Sequence, residues 1–150
     1  KATASDIDIL VETRIEVLRA ANHLSEDIDM SLVEKESFSY YNRCFDLDEH
    51  VAYLVYEGEN FVACGGVSFY KVMPTYNNPS GINACIMNMY TRSEYRRRGI
   101  ANEVLDLLVK EAVARDIKRI TLEATDAGKP VYMKYGFIEM KDEMIYLSSH

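Results

Sequence analysis

The chain has 150 residues and a formal charge of -7, with 48% hydrophobic and 27% charged side chains. That length suits one domain with a single substantial core, and the composition is ordinary for a globular protein in water. The acidic balance argues against a polyanion-binding domain, and no apolar run approaches the roughly 20 residues needed to span a bilayer.

No signal peptide is visible, and Lys1 rather than methionine opens the chain, which points to clipping or processing. Cys44, Cys64 and Cys85 are widely spaced, form no C-x-x-C pair, and make no metal pattern with His23, His50 or His150. They read as small core hydrophobes in a reducing compartment, the cytoplasm, and no metal is expected.

In chain order, Ser5 or Asp6 can cap a first helix running from about Asp6 to Asn22, with Ile7, Leu10, Val11, Ile15 and Leu18 on one face. Arg14 falls inside that apolar stripe. It either snorkels to a carboxylate or reaches into a substrate pocket. Ser31-Leu32-Val33-Glu34 matches a capping box and predicts a second helix to about Phe45.

Val51 to Tyr56 and Phe61 to Tyr70 predict an antiparallel hairpin around a four-residue loop, Glu57 to Asn60. Gly65-Gly66 within its second strand signals a bulge or a closely packed neighbour. Lys71 to Ile82 contains Pro74, Pro79 and Gly81 and reads as a long loop. Tyr76 at its centre is a candidate for a substrate mouth, and otherwise an exposed loop tyrosine.

Ala84 to Met89 is a mostly apolar run of strand length. A turn with Arg96, Arg97, Arg98 and Gly99 follows, then a helix to about Arg115 with Ala101, Val104, Leu105, Leu108 and Ala112 at helical spacing. Strand, basic glycine turn and helix N-terminus together make an anion site. The first helix amides lack carbonyl partners, and arginine adds forked donors. The alternative is a solvated basic turn or a small nucleic-acid patch. A local cluster in an acidic chain favours the dedicated site. Lys118 to Ala124 predicts a strand parallel to the preceding one. Pro130 suits the first position of a brief helix ending near Tyr135-Gly136, and Phe137 to Met140 with Glu143 to Leu147 predict a closing hairpin.

Arg96-x-x-Gly99-x-Ala101 resembles the Q/R-x-x-G-x-G/A signature of the GNAT superfamily of acyl-CoA-dependent N-acetyltransferases. Pro130-Val131-Tyr132-Met133-Lys134-Tyr135-Gly136-Phe137 resembles that superfamily's P-L-Y-x-x-x-G-F segment. With the element order, the resemblance spans Lys1 to Leu147. Two positions depart from common members: Asp116 stands where glycine often ends the third helix, and Thr125 where an asparagine often precedes the tyrosine. Aspartate tolerates the left-handed conformation that a helix end needs.

The resemblance implies an α/β fold: a mostly antiparallel mixed sheet with one splayed parallel strand pair and about four helices. It implies acetyl-CoA as co-substrate, its pyrophosphate held by the turn from Arg96 to Asn102, which includes Ile100. The pantetheine arm would lie in the splay, against the backbone of Met89 and Thr91 on either side of Tyr90. One of those amides would polarise the thioester carbonyl, a fixed donor of a kind worth roughly 3 kcal/mol. The acceptor would be a small-molecule or peptide amine, in a pocket to which Arg14, Tyr76 and Asn88 are candidate contributors. Dimers are common among relatives; no nucleic acid or membrane partner is implied.

An alkylamine of pKa about 10.4 is almost wholly protonated at pH 7, a cost of roughly 4.6 kcal/mol, so some base should relieve it. The strand Ala84 to Met89 holds no acid, and Glu123 and Asp126 are the nearest by sequence; each reads equally as a surface acid. Tyr132, with pKa about 10, would hydrogen-bond the departing thiolate rather than protonate it fully, because a thiol of pKa about 8.5 is the stronger acid. The rival reading is an acyl-CoA-binding module without catalysis.

Overall fold

The computed structural model describes residues 1–149, and His150 lies outside the described residues. The helices are α1 (Ile7–Asn22), α2 (Ser31–Asp46), α3 (Ile100–Ala114) and α4 (Lys129–Tyr135), and the strands β1 (His50–Glu57), β2 (Asn60–Lys71), β3 (Ile82–Thr91) and β4 (Ile120–Leu122). They form one sheet in the order β1-β2-β3-β4. Its first three strands are antiparallel and β4 is parallel to β3. This is the expected mixed fold with its helical crossover.

Period-two alternation gives each face of the sheet its own core. Val67, Phe69, Ala84 and Ile86 pack against Val104, Leu105, Leu108 and Ala112 of α3. Leu10, Val11 and Tyr41 of α1 and α2 cover Ala52, while Val17 packs with Phe61 and Cys64. The buried stripe of α1 runs through Ile7, Leu10, Val11, Thr13 and Val17, so Ile15 and Leu18 lie at its margin rather than its centre.

Gly65 decides how close α3 can come. A Cβ there would stand 2.7 Å from Met89 Sδ, 2.7 Å from Val104 Cγ1 and 2.9 Å from Leu108 Cδ1. The missing side chain is the space that α3 occupies, so the packing reading of this glycine holds. The register shift lies between Cys64 and Gly66, and the extra residue is on β3, where Asn88 adopts φ 63°.

α1 is tied to the end of β3 by a two-pronged ion pair. Arg92 donates through Nε to Glu16 Oε2 at 3.0 Å and through Nη2 to Oε1 at 2.7 Å, with its guanidinium over the Phe61 ring. This pair holds the Glu16 carboxyl below the usual glutamate range.

Several local expectations need correcting. The β1–β2 turn is tighter than four residues, because Gly58 at φ 62° lets the strands run on to Glu57 and Asn60. The N-cap position of α2 is Met30 rather than Ser31, with no side-chain cap bond, and the Asp29 carboxylate just ahead of it accepts from the Ser31 amide at 2.9 Å. Asp116 does turn left-handed, at φ 58°, where α3 gives out.

The closing hairpin is absent among the described residues. Residues 137–149 carry no strand, and Ile138, Met144, Ile145, Tyr146 and Leu147 are exposed. A strand register is pinned by one buried face, and these side chains find nothing to bury against. Side chains hold the segment instead: Arg119 pairs with Glu143 at 2.8 Å, and Lys129 pairs with Glu139.

Two stability outcomes follow from this packing. Gly65→Ala should cost about 1–3 kcal/mol by overpacking, read as a lower urea midpoint; an unchanged midpoint would mean α3 is not seated as described. Glu16→Gln should cost about 1 kcal/mol at pH 7. A carboxylate with a lowered pKa stabilises above the ordinary value of about 4.3 and loses that contribution as pH falls through the lowered one. The variant and the wild type should therefore converge in midpoint as the pH falls through that lowered value, and a gap persisting once the carboxylate is protonated would assign the effect elsewhere.

Candidate functional site

The bulge at Asn88 changes which way the β3 backbone faces. Ala84 N–H donates to Arg119 O, so Ala84 faces the β4 side; Arg92 N–H donates to Val62 O, so Arg92 faces β2. In an unbroken strand two residues eight apart would face the same way. The extra residue flips the parity, and the backbone groups of Met89 and Thr91 are turned toward the β4 side while those of Tyr90 face β2.

On that side β3 has no strand partner beyond Ile86, because the parallel pairing runs only from Ala84–Ile120 to Ile86–Leu122. The splay expected between these strands is present. Arg96 Nε reaches back to Thr91 O at 3.0 Å, so the basic turn closes directly onto the open edge.

The turn itself is a concave array of donors. Arg97 at φ 64° and Gly99 at φ 79° are both left-handed, and residues of alternating hand bring successive amides round onto one point. Gly99 is the N-cap of α3 and makes no side-chain cap bond. Among the described residues, no acceptor stands against the amides of Arg97, Arg98, Gly99, Ile100, Ala101 or Asn102; the first turn is met at Glu103, which donates to Gly99 O. Arg98 Nη2 donates to Glu94 O at 3.4 Å and its guanidinium lies over the Tyr95 ring. The arginine side chains themselves are exposed.

Tyr132 sits half-buried on α4, its ring edge-on to Phe137. A Cβ on Gly128 would stand 3.0 Å from the Tyr132 ring and 3.3 Å from Thr125 Oγ1. Thr125 Oγ1 in turn accepts from the Gly128 amide. The Thr125–Gly128 turn thus seats the tyrosine. Among the described residues its hydroxyl has no hydrogen-bond partner, and burial pushes its pKa above the usual tyrosine value. Tyr132 and Asp126 both line a groove of about 980 Å³ along the outer edge of β4. Glu123 and Asp126 are exposed.

Of the three acceptor-side residues, the structure brings two together. Arg14 Nη1 donates to Asn88 Oδ1 at 3.0 Å, at the bulge where the splay opens. Tyr76 is 97% exposed in the loop before β3, at the opposite end of the strand from Asn88, a span of about 20 Å at strand rise. Sequence reasoning missed Glu16 and Cys64. Glu16 binds Arg92, and the buried Cys64 thiol donates to Asn88 O at 3.3 Å. Burial pushes that thiol up to about 12, so it stays protonated. Its position opposite Tyr90 depends on the bulge, which period-two alternation does not reveal.

Among the described residues, no group of three or more His, Cys, Asp or Glu side chains is arranged to hold a metal, and no helix is long and apolar enough to cross a membrane.

The sequence matches the family model described as "Acetyltransferase (GNAT) family" over residues 17–137. The fold is similar to that of a predicted acetyltransferase from Clostridium acetobutylicum solved with acetyl-CoA, at 36% identity and TM-score 0.86, covering 98% of this chain and 92% of that one. A GCN5-related N-acetyltransferase from Ralstonia eutropha JMP134 shares the fold at 19% identity and TM-score 0.80, over 97% and 95% of the two chains. Glucosamine-6-phosphate N-acetyltransferase from Arabidopsis thaliana shares it at 16% identity and TM-score 0.65, over 95% and 92%. No curated protein sequence gives a significant match. With a family model spanning most of the chain, the donor turn ahead of α3 and the splayed β3–β4 pair, this protein belongs to the GNAT family of acetyltransferases.

Proposed function

We propose that the protein is an N-acetyltransferase that moves the acetyl group of acetyl-CoA directly onto a primary amine within a ternary complex. The observation that carries this reading is the run of unengaged amides from Arg97 to Asn102 beside the open β3 edge at Met89 and Thr91. The turn suits a diphosphate, and the edge suits an extended amide-bearing chain that adds as a strand. The Clostridium acetobutylicum relative, with acetyl-CoA bound, supports the same choice of co-substrate.

The residues divide the work by position. The Arg96–Asn102 turn anchors the diphosphate, and the Met89 or Thr91 amide polarises the thioester carbonyl. The amine nitrogen attacks that carbonyl, a C–N bond forms, the C–S bond breaks, and coenzyme A leaves as a thiolate that then takes up the proton the amine has given up. No side-chain nucleophile is needed, and the buried, protonated Cys64 is unsuited to be one. Tyr132 donates a hydrogen bond to the departing sulfur. Because burial raises its pKa, it keeps its proton throughout the neutral range. Glu123 and Asp126 remain the carboxylates to which the amine proton would pass, through water, since both are exposed.

That exposure also favours a second reading, an acyl-CoA-binding module without catalysis. Thiol release from acetyl-CoA across a panel of primary amines separates the two. The enzyme reading predicts release that depends on the amine, and binding without such release would select the module. Tyr132→Phe should lower kcat about tenfold or more while leaving acetyl-CoA affinity nearly intact, in the range that removal of a transition-state donor produces. Unchanged turnover would take Tyr132 out of the mechanism.

A further inference from the structure

We infer that the acceptor amine carries a carboxylate, and that Arg14 is the residue that binds it. This inference rests on the function proposed above and names the substrate class for that site. It begins from a mismatch in how the protein treats its arginines. Arg19, Arg43, Arg92, Arg115 and Arg119 each hold a carboxylate of the chain itself. Among the described residues, Arg96, Arg97, Arg98 and Arg14 do not. The first three make up the anion turn. Arg14 is the remaining guanidinium without a counter-charge, and it is the one that faces inward.

Its position gives the missing counter-charge weight. Arg14 is half-buried on the core-facing stripe of α1, one turn from Leu10 and just ahead of Val17, both buried. A charge partly withdrawn from water without an ionic partner is destabilising, and a carboxylate-bearing ligand would supply that partner. No carboxylate among the described residues pairs with it. Its one hydrogen bond is to an amide oxygen, Asn88 Oδ1, at 3.0 Å. Tyr41, His50 and Cys64 are the titratable side chains whose ionisation feels its charge. Tyr41 and Cys64 are protonated at neutral pH, and burial holds His50 at about 4, uncharged there. Glu16, two residues on, is taken by Arg92.

The Asn88 contact puts this cation at the mouth of the β3–β4 splay, two residues beyond the last paired position, Ile86. An acceptor whose nitrogen faces the Met89–Thr91 edge would bring a second substituent against Arg14. A guanidinium offers five N–H donors in a planar fork, and here one is engaged, leaving a pair free for a two-pronged bond. A single cation balances the single charge of a carboxylate. A phosphomonoester, at about -1.5 to -2, would call for a second one, and the nearby Arg92 is already neutralised.

The test compares α-, β- and γ-amino acids with their own carboxamides as acceptors, at saturating acetyl-CoA, in the wild type and in Arg14→Gln. Converting the carboxylate to an amide lowers the amine pKa and so favours the carboxamide chemically. A preference for the acid is then the protein's own. The expected result is that at least one amino acid exceeds its carboxamide in kcat/KM by tens-fold to about a hundredfold, the scale of a hydrogen-bonded charge. In Arg14→Gln that ratio should fall toward one. A merely structural role would lower both compounds together and leave the ratio intact, which overturns the inference. So does equal use of acids and carboxamides by the wild type, a result that needs no variant to fold. Calorimetry on the coenzyme A-loaded wild type, with the same acids as titrants, covers the case of no turnover, and absence of heat there also overturns it. If acetyl-CoA itself fails to bind, the proposed function has failed instead.

Discussion

The contact on which the rest of the molecule depends is the one made possible by a missing methyl group at Gly65. Met89 from β3 and Val104 and Leu108 from α3 converge on that position to distances no Cβ would allow. Their closure fixes the height of α3 over the sheet, and with it the place of the helix N-terminus that follows the basic turn. The same contact draws in Met89, whose backbone borders the open edge. Core packing and the functional geometry are therefore one arrangement: α3 cannot be lifted from the sheet without displacing its N-terminal amides from the strand they adjoin.

The bulge at Asn88 is the second half of this design. One extra residue in β3 turns the backbone groups of Met89 and Thr91 away from β2, which lies on one side, toward the side where β4 has already ended. A strand with free backbone groups is ordinarily a liability, because it templates pairing with whatever chain is near. Here the exposed length is short and Arg96 caps the carbonyl of Thr91. The same bulge swings the Asn88 side chain to the opposite face, against Arg14 and Cys64. Under the proposed function, one backbone irregularity would thus address both substrates, with an edge for the extended donor and an amide oxygen that aims a cation toward the acceptor.

Much of this was legible in the sequence, for reasons that differ by element. Helical spacing located α3 because Val104, Leu105, Leu108 and Ala112 meet one sheet face, and a 3.6-residue repeat records that directly. The basic turn was legible because its physics is local: a left-handed glycine before a helix with arginines beside it. Arg14 stood out as a charge in an apolar stripe, and the structure keeps it facing inward. What escaped were features set by partners distant in the chain. The parity flip at Asn88 is a property of the β2–β3 register, not of residues 84 to 91 read alone. The Arg92–Glu16 pair joins positions that share no motif. The hairpin expected from residues 137 to 147 had apolar runs of strand length but no apolar face to meet, and a pattern cannot show whether its partner surface exists.

The central claim is that the turn from Arg96 to Asn102 binds a diphosphate and thereby anchors the thioester carrier. Parallel calorimetric titrations with coenzyme A and with pantetheine, which has the same thiol arm but no diphosphate or nucleotide, test it most directly. The account predicts saturable heat from coenzyme A and none from pantetheine at equal concentrations. Comparable heats from the two compounds, or no heat from coenzyme A at millimolar levels, would contradict it.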